Sequence, residues 1–149
     1  MTNWVKALAS FFYVGYLPWA PGSFGSLAGL LIAWIFYGAL PYLTIAFCFL
    51  GFMICKPAVA AFLSPDPPAF VLDEVSGMML SVLWLPKTPV VFLAGFILFR
   101  LFDILKPWPI SRIQKNPNPS SIMWDDLAAG VLVNIVLQLA VVTQTPPAG

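Results

Sequence analysis

Five predominantly apolar segments, each bounded by prolines or charged residues, make up most of the sequence. Their length and apolarity make each one a helix candidate, and helices of this kind are typical of membrane spans. The sequence therefore predicts an all-α fold, an integral membrane helical bundle of about four to five apolar helices. The segments occupy residues 24–40, 42–63, 71–85, 90–106 and 124–143.

The scarcity of charge supports a membrane location. The chain is 60% hydrophobic and 9% charged, whereas soluble domains are about 45–50% apolar and about 25% charged. Its length suits one membrane-embedded domain over residues 1–149. Residues 1–17 carry Trp4, Lys6 and several other aromatic side chains, which predicts an interfacial N-terminal helix. The composition of residues 144–149 predicts a disordered tail.

The third segment, residues 71–85, is short for a membrane span. A helix of that length rises about 22 Å, less than the hydrocarbon core of about 30 Å. It is expected either to span a thinned region or to pack inside the bundle.

The composition also excludes several kinds of function. The chain has no histidine, which removes the commonest acid-base catalyst near neutral pH and a frequent metal ligand. Its net charge of +1 gives no basis for nucleic-acid binding. Cys48 and Cys55 are seven residues apart in an apolar segment, so we interpret them as core residues and expect neither zinc nor a disulfide. The oligomeric state is left open.

If each segment crosses the membrane once, the unusual residues fall on one side. That side then holds the starts of the first, third and fifth segments and the ends of the second and fourth. It collects most of the basic residues, which marks it as cytoplasmic. The basic residues on this side are Lys56, Arg100, Lys106, Arg112 and Lys115, against Lys87 on the other.

Carboxylates are rare in the chain and clustered. Asp73-Glu74, Asp103 and Asp125-Asp126 hold five of the six acids, and Asp66 lies in a proline-rich loop where no function is expected. Acids in a first helical turn are favoured by the helix dipole. That explanation fails for Asp103, which is predicted in a last turn, although Arg100 shares its helix face.

Carboxylates from three helix ends, without histidine or cysteine, are the ligands that Mg²⁺ prefers, and Mn²⁺ is possible. Such a cation would neutralise adjacent acids that otherwise repel each other. The glycines four residues beyond two of these acids, Gly77 and Gly130, would let neighbouring helices approach closely.

Phosphate-binding groups are expected beside these acids. Residues 18–30 are interpreted as a proline- and glycine-rich loop that runs into a helix, whose free backbone N–H groups suit phosphate, although a plain loop and cap would give the same pattern. Arg100 and Lys106 are expected to bind phosphate oxygens, whereas Arg112 and Lys115 are interpreted as membrane-anchoring cations. The loop residues predicted to contribute are Gly22, Ser23, Gly25 and Ser26.

Four stretches resemble the phosphatidylglycerophosphatase A family: "PGSFGSLAG" at 21–29, "LDEVSGM" at 72–78, "FRLFDILKPWPI" at 99–110 and "WDDLAAGV" at 124–131. Their order and spacing agree, and the similarity extends from Tyr16 to about Leu139. The resemblance implies hydrolysis of the terminal phosphate of phosphatidylglycerophosphate, a phospholipid in the bilayer, to give phosphatidylglycerol. The reaction would require Mg²⁺ and take place at the cytoplasmic face of a bacterial inner membrane. Asp73, Glu74, Asp103, Asp125 and Asp126 would then be both metal ligands and catalytic residues.

Two alternative functions fit less well. A CDP-alcohol phosphatidyltransferase-like enzyme also uses carboxylates and Mg²⁺, but its Asp-Gly pattern is missing because Leu127 follows Asp126. A small membrane cation transporter would place its acids along a path through the membrane. The acids here are instead predicted near helix ends on one face.

Overall fold

The computed structural model describes residues 2–144, and every regular element in this part of the chain is helical. Two 3₁₀ turns, Val14–Tyr16 and Tyr37–Ala39, accompany the α-helices. The prediction of an all-α fold is thus confirmed over these residues. The helices are α1 (Thr2–Ala9), α2 (Pro21–Ile35), α3 (Leu40–Phe62), α4 (Leu72–Ser81), α5 (Pro89–Leu105), α6 (Ile110–Gln114) and α7 (Ser121–Gln144).

Two stretches are long and apolar enough to cross a membrane. They are Tyr37–Phe62 and Ser121–Thr143, with 26 and 23 residues. Helix α2 is apolar but shorter. The count of four to five spans therefore stays a prediction. The predicted tail lies outside the described residues except for Gln144, which ends α7.

Helix α4 lies in the interior of the bundle. Eight of its ten residues are buried, and it packs against α2, α3, α5 and α7. Its ten residues rise only about 15 Å. Of the two expectations for the third segment, packing inside the bundle is the one found. The predicted extension to residue 85 is wrong, because α4 ends at Ser81.

Side chains from two other elements bind the carbonyl groups at the end of α4. The Asn134 amide donates to the Ser81 carbonyl at 3.2 Å and to the Leu83 carbonyl at 2.8 Å. The Tyr37 hydroxyl donates to the Leu85 carbonyl at 2.6 Å. These bonds satisfy backbone groups that would otherwise be left unpaired where the buried helix stops.

Glycines bring α4 and α7 into backbone contact. A Cβ atom at Gly130 would lie 2.5 Å from the Gly77 carbonyl oxygen, and one at Gly77 would lie 2.7 Å from the Asp126 carbonyl oxygen. Only residues without side chains allow helices to pack this closely. The close approach predicted from the spacing of these glycines is confirmed.

Two helices begin one turn earlier than predicted. Helix α2 starts at Pro21, where proline is favoured because a first helical residue needs no N–H partner. Helix α7 starts at Ser121 and has no acid in its first turn. Asp125 and Asp126 therefore lie in the second turn, and helix capping does not explain them.

Candidate active site

A cavity of about 700 Å³ lies where the starts of α2, α4 and α7 meet the end of α5 and the loop after α3. The prediction that these helix ends converge is confirmed. All six acidic residues of the chain line this cavity, together with three basic residues. They are Asp66, Asp73, Glu74, Asp103, Asp125 and Asp126, with Arg100, Lys106 and Lys115.

The charges in the cavity do not balance. With all groups ionised, six carboxylates and three cations leave a formal charge of −3. A phosphate group would be repelled from such a cavity unless additional positive charge entered with it. The electrostatics therefore favour a site that uses a cation to bind an anion.

Three of the carboxylates form a compact group. One oxygen from each of Asp73, Glu74 and Asp126 lies within 4.8 Å of the others. Glu74 Oε2 and Asp126 Oδ2 are buried and have no hydrogen-bond partner among residues 2–144. Unpartnered carboxylate oxygens in a buried group match the ligands of a hard divalent cation, so these residues fit Mg²⁺ or Mn²⁺.

Burial raises the pKa of the Asp73 and Glu74 carboxyl groups, and the neighbouring Glu74 charge raises that of Asp73 further. Both groups stand at the start of α4, which is too short to cross a membrane. Burial thus makes their ionised forms less favourable than they are in water.

The other two predicted ligands are paired with basic side chains. Arg100 Nη1 lies 2.6 Å from Asp103 Oδ2. Lys106 Nζ lies 3.7 Å from Asp103 Oδ1 and 2.5 Å from Asp125 Oδ2. These cations explain how an acid is accommodated in the last turn of α5, where the helix dipole disfavours it. The structure thus separates the five predicted ligands into a group of three and an ion-paired two.

Lys106 holds its position in an uncommon backbone conformation. It ends α5 with a φ of 43°, in the left-handed region where glycine is usual. This conformation places its ammonium group against the carboxylates of Asp103 and Asp125.

Arg100 has one nitrogen in use and another without a partner. Nη1 contacts Asp103 and also donates to Ser26 Oγ at 3.4 Å. Nε is buried and, among the residues that the structure describes, has no hydrogen-bond partner. The guanidinium therefore serves as a counter-charge for Asp103, and Arg100 also lines the cavity.

The predicted phosphate loop is part of helix α2. The N–H groups of Ser23 and Phe24 already donate to the Ala20 carbonyl, so the expected free donors are in use. Gly22 and Ser23 line the cavity, but Gly25 and Ser26 are buried and are absent from its lining. The predicted loop is thus shorter than expected, because residues 21–23 are already helical. The part of residues 22–26 in phosphate binding stays a prediction.

The glycines of α2 make room for its neighbours. A Cβ atom at Gly22 would lie 2.5 Å from Glu74 Oε1 and 3.1 Å from Arg100 Nη1. One at Gly25 would lie 2.8 Å from the Val71 Cβ. The spacing of Gly22, Gly25 and Gly29 at three and four residues is the signal that could have indicated helix packing.

Some cavity residues were not predicted. Asp66 lines the cavity although no function was expected for it, and Lys115, interpreted as a membrane anchor, lines it too. Asn116 and Asn118 do the same. They belong to two proline-rich connections far apart in the sequence. No local pattern indicates that such connections meet over a site.

A family model and two relatives of this chain carry the same family name. The family model described as phosphatidylglycerophosphatase A matches residues 7–141. The chain is 33% identical over 141 residues to the phosphatidylglycerophosphatase A of Escherichia coli strain K12, which covers 89% of this chain and 80% of that protein. It is 35% identical over 144 residues to the phosphatidylglycerophosphatase A of Haemophilus influenzae, with coverage of 92% and 88%.

A further relative has a different name. The chain is 30% identical over 138 residues to a Bacteroides thetaiotaomicron protein named putative phosphatidylinositol-3-phosphatase, with coverage of 85% and 86%. No solved structure matches the chain significantly.

Proposed function

Because the chain belongs to the phosphatidylglycerophosphatase A family, we propose that its cavity binds phosphatidylglycerophosphate and that its carboxylates take part in hydrolysing the terminal phosphate. The products are phosphatidylglycerol and inorganic phosphate. The observation that carries the proposal is the buried group of Asp73, Glu74 and Asp126, with two carboxylate oxygens that have no partner.

The three carboxylates would hold Mg²⁺, and Mn²⁺ would also fit their oxygen ligands. A divalent cation held by these residues would supply Lewis-acid chemistry, since it would polarise a phosphoryl group and lower the pKa of a bound water. Arg100, which lines the cavity, would donate from its guanidinium group to an oxygen of the reacting phosphate. Lys106 and Arg100 Nη1 keep Asp103 and Asp125 neutralised, so these acids do not repel the substrate.

The lipid substrate requires access from a membrane. We place the protein in the bacterial inner membrane with several spans and with the cavity facing the cytoplasm. Two stretches have the length and apolarity of spans. Arg100, Lys106 and Lys115 line the cavity, and Lys87 lies at the opposite end of α5. This distribution agrees with the preference of basic residues for the cytoplasmic side.

The arrangement of the acids disfavours a transporter. A cation path needs polar groups at several depths of the membrane. In the described part of the chain, all six acids line the same cavity at one end of the bundle. Family membership likewise favours a phosphatase over a phosphatidyltransferase-like enzyme.

The test is an assay of purified protein in detergent with phosphatidylglycerophosphate, in which released phosphate is measured with Mg²⁺, after exhaustive chelation, and after Mg²⁺ or Mn²⁺ is restored. We expect release with Mg²⁺, none after chelation, and recovery with either metal. Full activity after chelation would contradict the metal site. No release under any metal condition would contradict the assigned substrate.

A further inference from the structure

The substrate of the proposed function carries two phosphate groups of different chemistry. The terminal monoester is hydrolysed, whereas the internal phosphodiester, one glycerol away, remains in the product. A cavity of about 700 Å³ is larger than a single phosphate requires. The three carboxylates Asp73, Glu74 and Asp126 are assigned to the reacting monoester alone. Other residues of the cavity lining are therefore available to bind the rest of the headgroup.

The three cations of the cavity differ in the ion pairs that they form with carboxylates. Arg100 is paired with Asp103, and Lys106 is paired with Asp103 and Asp125. Lys115 is exposed and, among the residues that the structure describes, has no carboxylate within ion-pair distance. Its charge is therefore available to a second anionic group.

Two amide side chains accompany Lys115 along the cavity wall. The side-chain oxygen of Asn116 accepts a hydrogen bond from the Asn118 N–H at 3.1 Å, and that of Asn118 accepts one from the Ser120 N–H at 3.1 Å. Because both oxygens are engaged by the backbone, each side chain has its NH₂ group left as a donor. A phosphodiester offers oxygen acceptors and no hydrogen-bond donor. One cation and two amide donors on a short segment are therefore suited to bind it.

We propose that Lys115, with the amides of Asn116 and Asn118, binds the internal phosphodiester of the lipid and so selects a headgroup with two phosphates. The inference rests on the proposed function and adds to it a residue that distinguishes this substrate from lipids with a single phosphate. Lys115 then contributes to binding of both substrate and lipid product, and it takes no part in cleavage.

Product inhibition separates the two subsites. Inorganic phosphate occupies only the position of the reacting phosphate, whereas phosphatidylglycerol carries the phosphodiester. In Lys115→Gln we expect the inhibition constant of phosphatidylglycerol and the KM for phosphatidylglycerophosphate to rise about tenfold. The inhibition constant of inorganic phosphate and kcat should stay at the wild-type values.

The matched control is Lys56→Gln, which removes an exposed cation of α3 that lies outside the lining of the cavity. It should leave both inhibition constants unchanged. Unchanged constants in Lys115→Gln, an equal rise in both, a rise for phosphate alone, or the same effect in Lys56→Gln would overturn the inference. Absence of phosphate release by the wild-type protein would overturn the proposed function itself, before any variant is compared.

Discussion

At the scale of single residues, Arg100 forms an ion pair with Asp103 and also lines the cavity. Its ion pair with Asp103 was predictable because the two residues are three apart on one helix. The pair between Lys106 and Asp125 was not, because it joins residues 19 apart on different helices. Charge signs can be read from a sequence, but the pairing of charges between helices depends on how those helices pack.

The position of Arg100 in the cavity lining leads to a prediction. Arg100→Lys keeps the positive charge for Asp103 but removes the planar fork that binds phosphate oxygens. We expect kcat/KM for phosphatidylglycerophosphate to fall at least about tenfold, or about 1.4 kcal/mol. Steady-state kinetics in detergent with saturating Mg²⁺ would measure this. Wild-type kinetics in Arg100→Lys, with loss only in Arg100→Gln, would reduce Arg100 to a counter-charge.

At the scale of helices, the contact between α4 and α7 positions the carboxylates. Asp73 and Asp126 each stand four residues before a glycine, and these glycines are the points where the two helices touch. This much was predictable from spacing. The close packing at Gly22 and Gly25 was not predicted, because proline and glycine next to serine are typical of loops as well as of tightly packed helix starts.

The glycine contact predicts the effect of a single methyl group. In Gly130→Ala the new Cβ would meet the Gly77 carbonyl oxygen at 2.5 Å, and backbone cannot move away as a flexible side chain can. Overpacking of this kind costs about 1–3 kcal/mol, more than the roughly 1 kcal/mol that alanine gains over glycine in a helix. We expect a lower melting temperature and a large loss of activity, measured by thermal unfolding in detergent and phosphate release.

Gly38→Ala is the matched control for this variant, because nothing lies within 4 Å of a Cβ atom at Gly38. It should melt and react like the wild-type protein. If Gly130→Ala were as stable and as active as Gly38→Ala, the close packing of α4 on α7 would be contradicted.

At the scale of the whole molecule, alternating segments place the starts of α2, α4 and α7 at one cavity with the end of α5. Prolines and charges mark the ends of the segments, so this alternation was predictable. The number of spans was not, because the apolar segment at residues 71–85 contains α4, a helix of ten residues that packs inside the bundle. Hydropathy reports burial in an apolar environment and does not distinguish lipid from protein.

The proposed orientation predicts which residues water-soluble reagents reach. Residues 87 and 118 lie beyond opposite ends of α5, whose 17 residues rise about 25 Å. In a background without Cys48 and Cys55, cysteine at residue 118 should be labelled from the cytoplasm and cysteine at residue 87 from the other side. Labelling of both positions from one side of intact cells or oriented vesicles would contradict the arrangement.

Asp126→Asn tests the proposal that Asp73, Glu74 and Asp126 form the catalytic metal site. The substitution preserves size but removes an anionic ligand from the buried group. Asp66→Asn is the matched control, because it removes the same charge from an exposed position in the same cavity. With phosphatidylglycerophosphate and Mg²⁺, phosphate release should fall by at least about a hundredfold in Asp126→Asn, while Asp66→Asn stays near wild type and both proteins unfold at similar temperatures. Equal activity of the two variants would contradict the site.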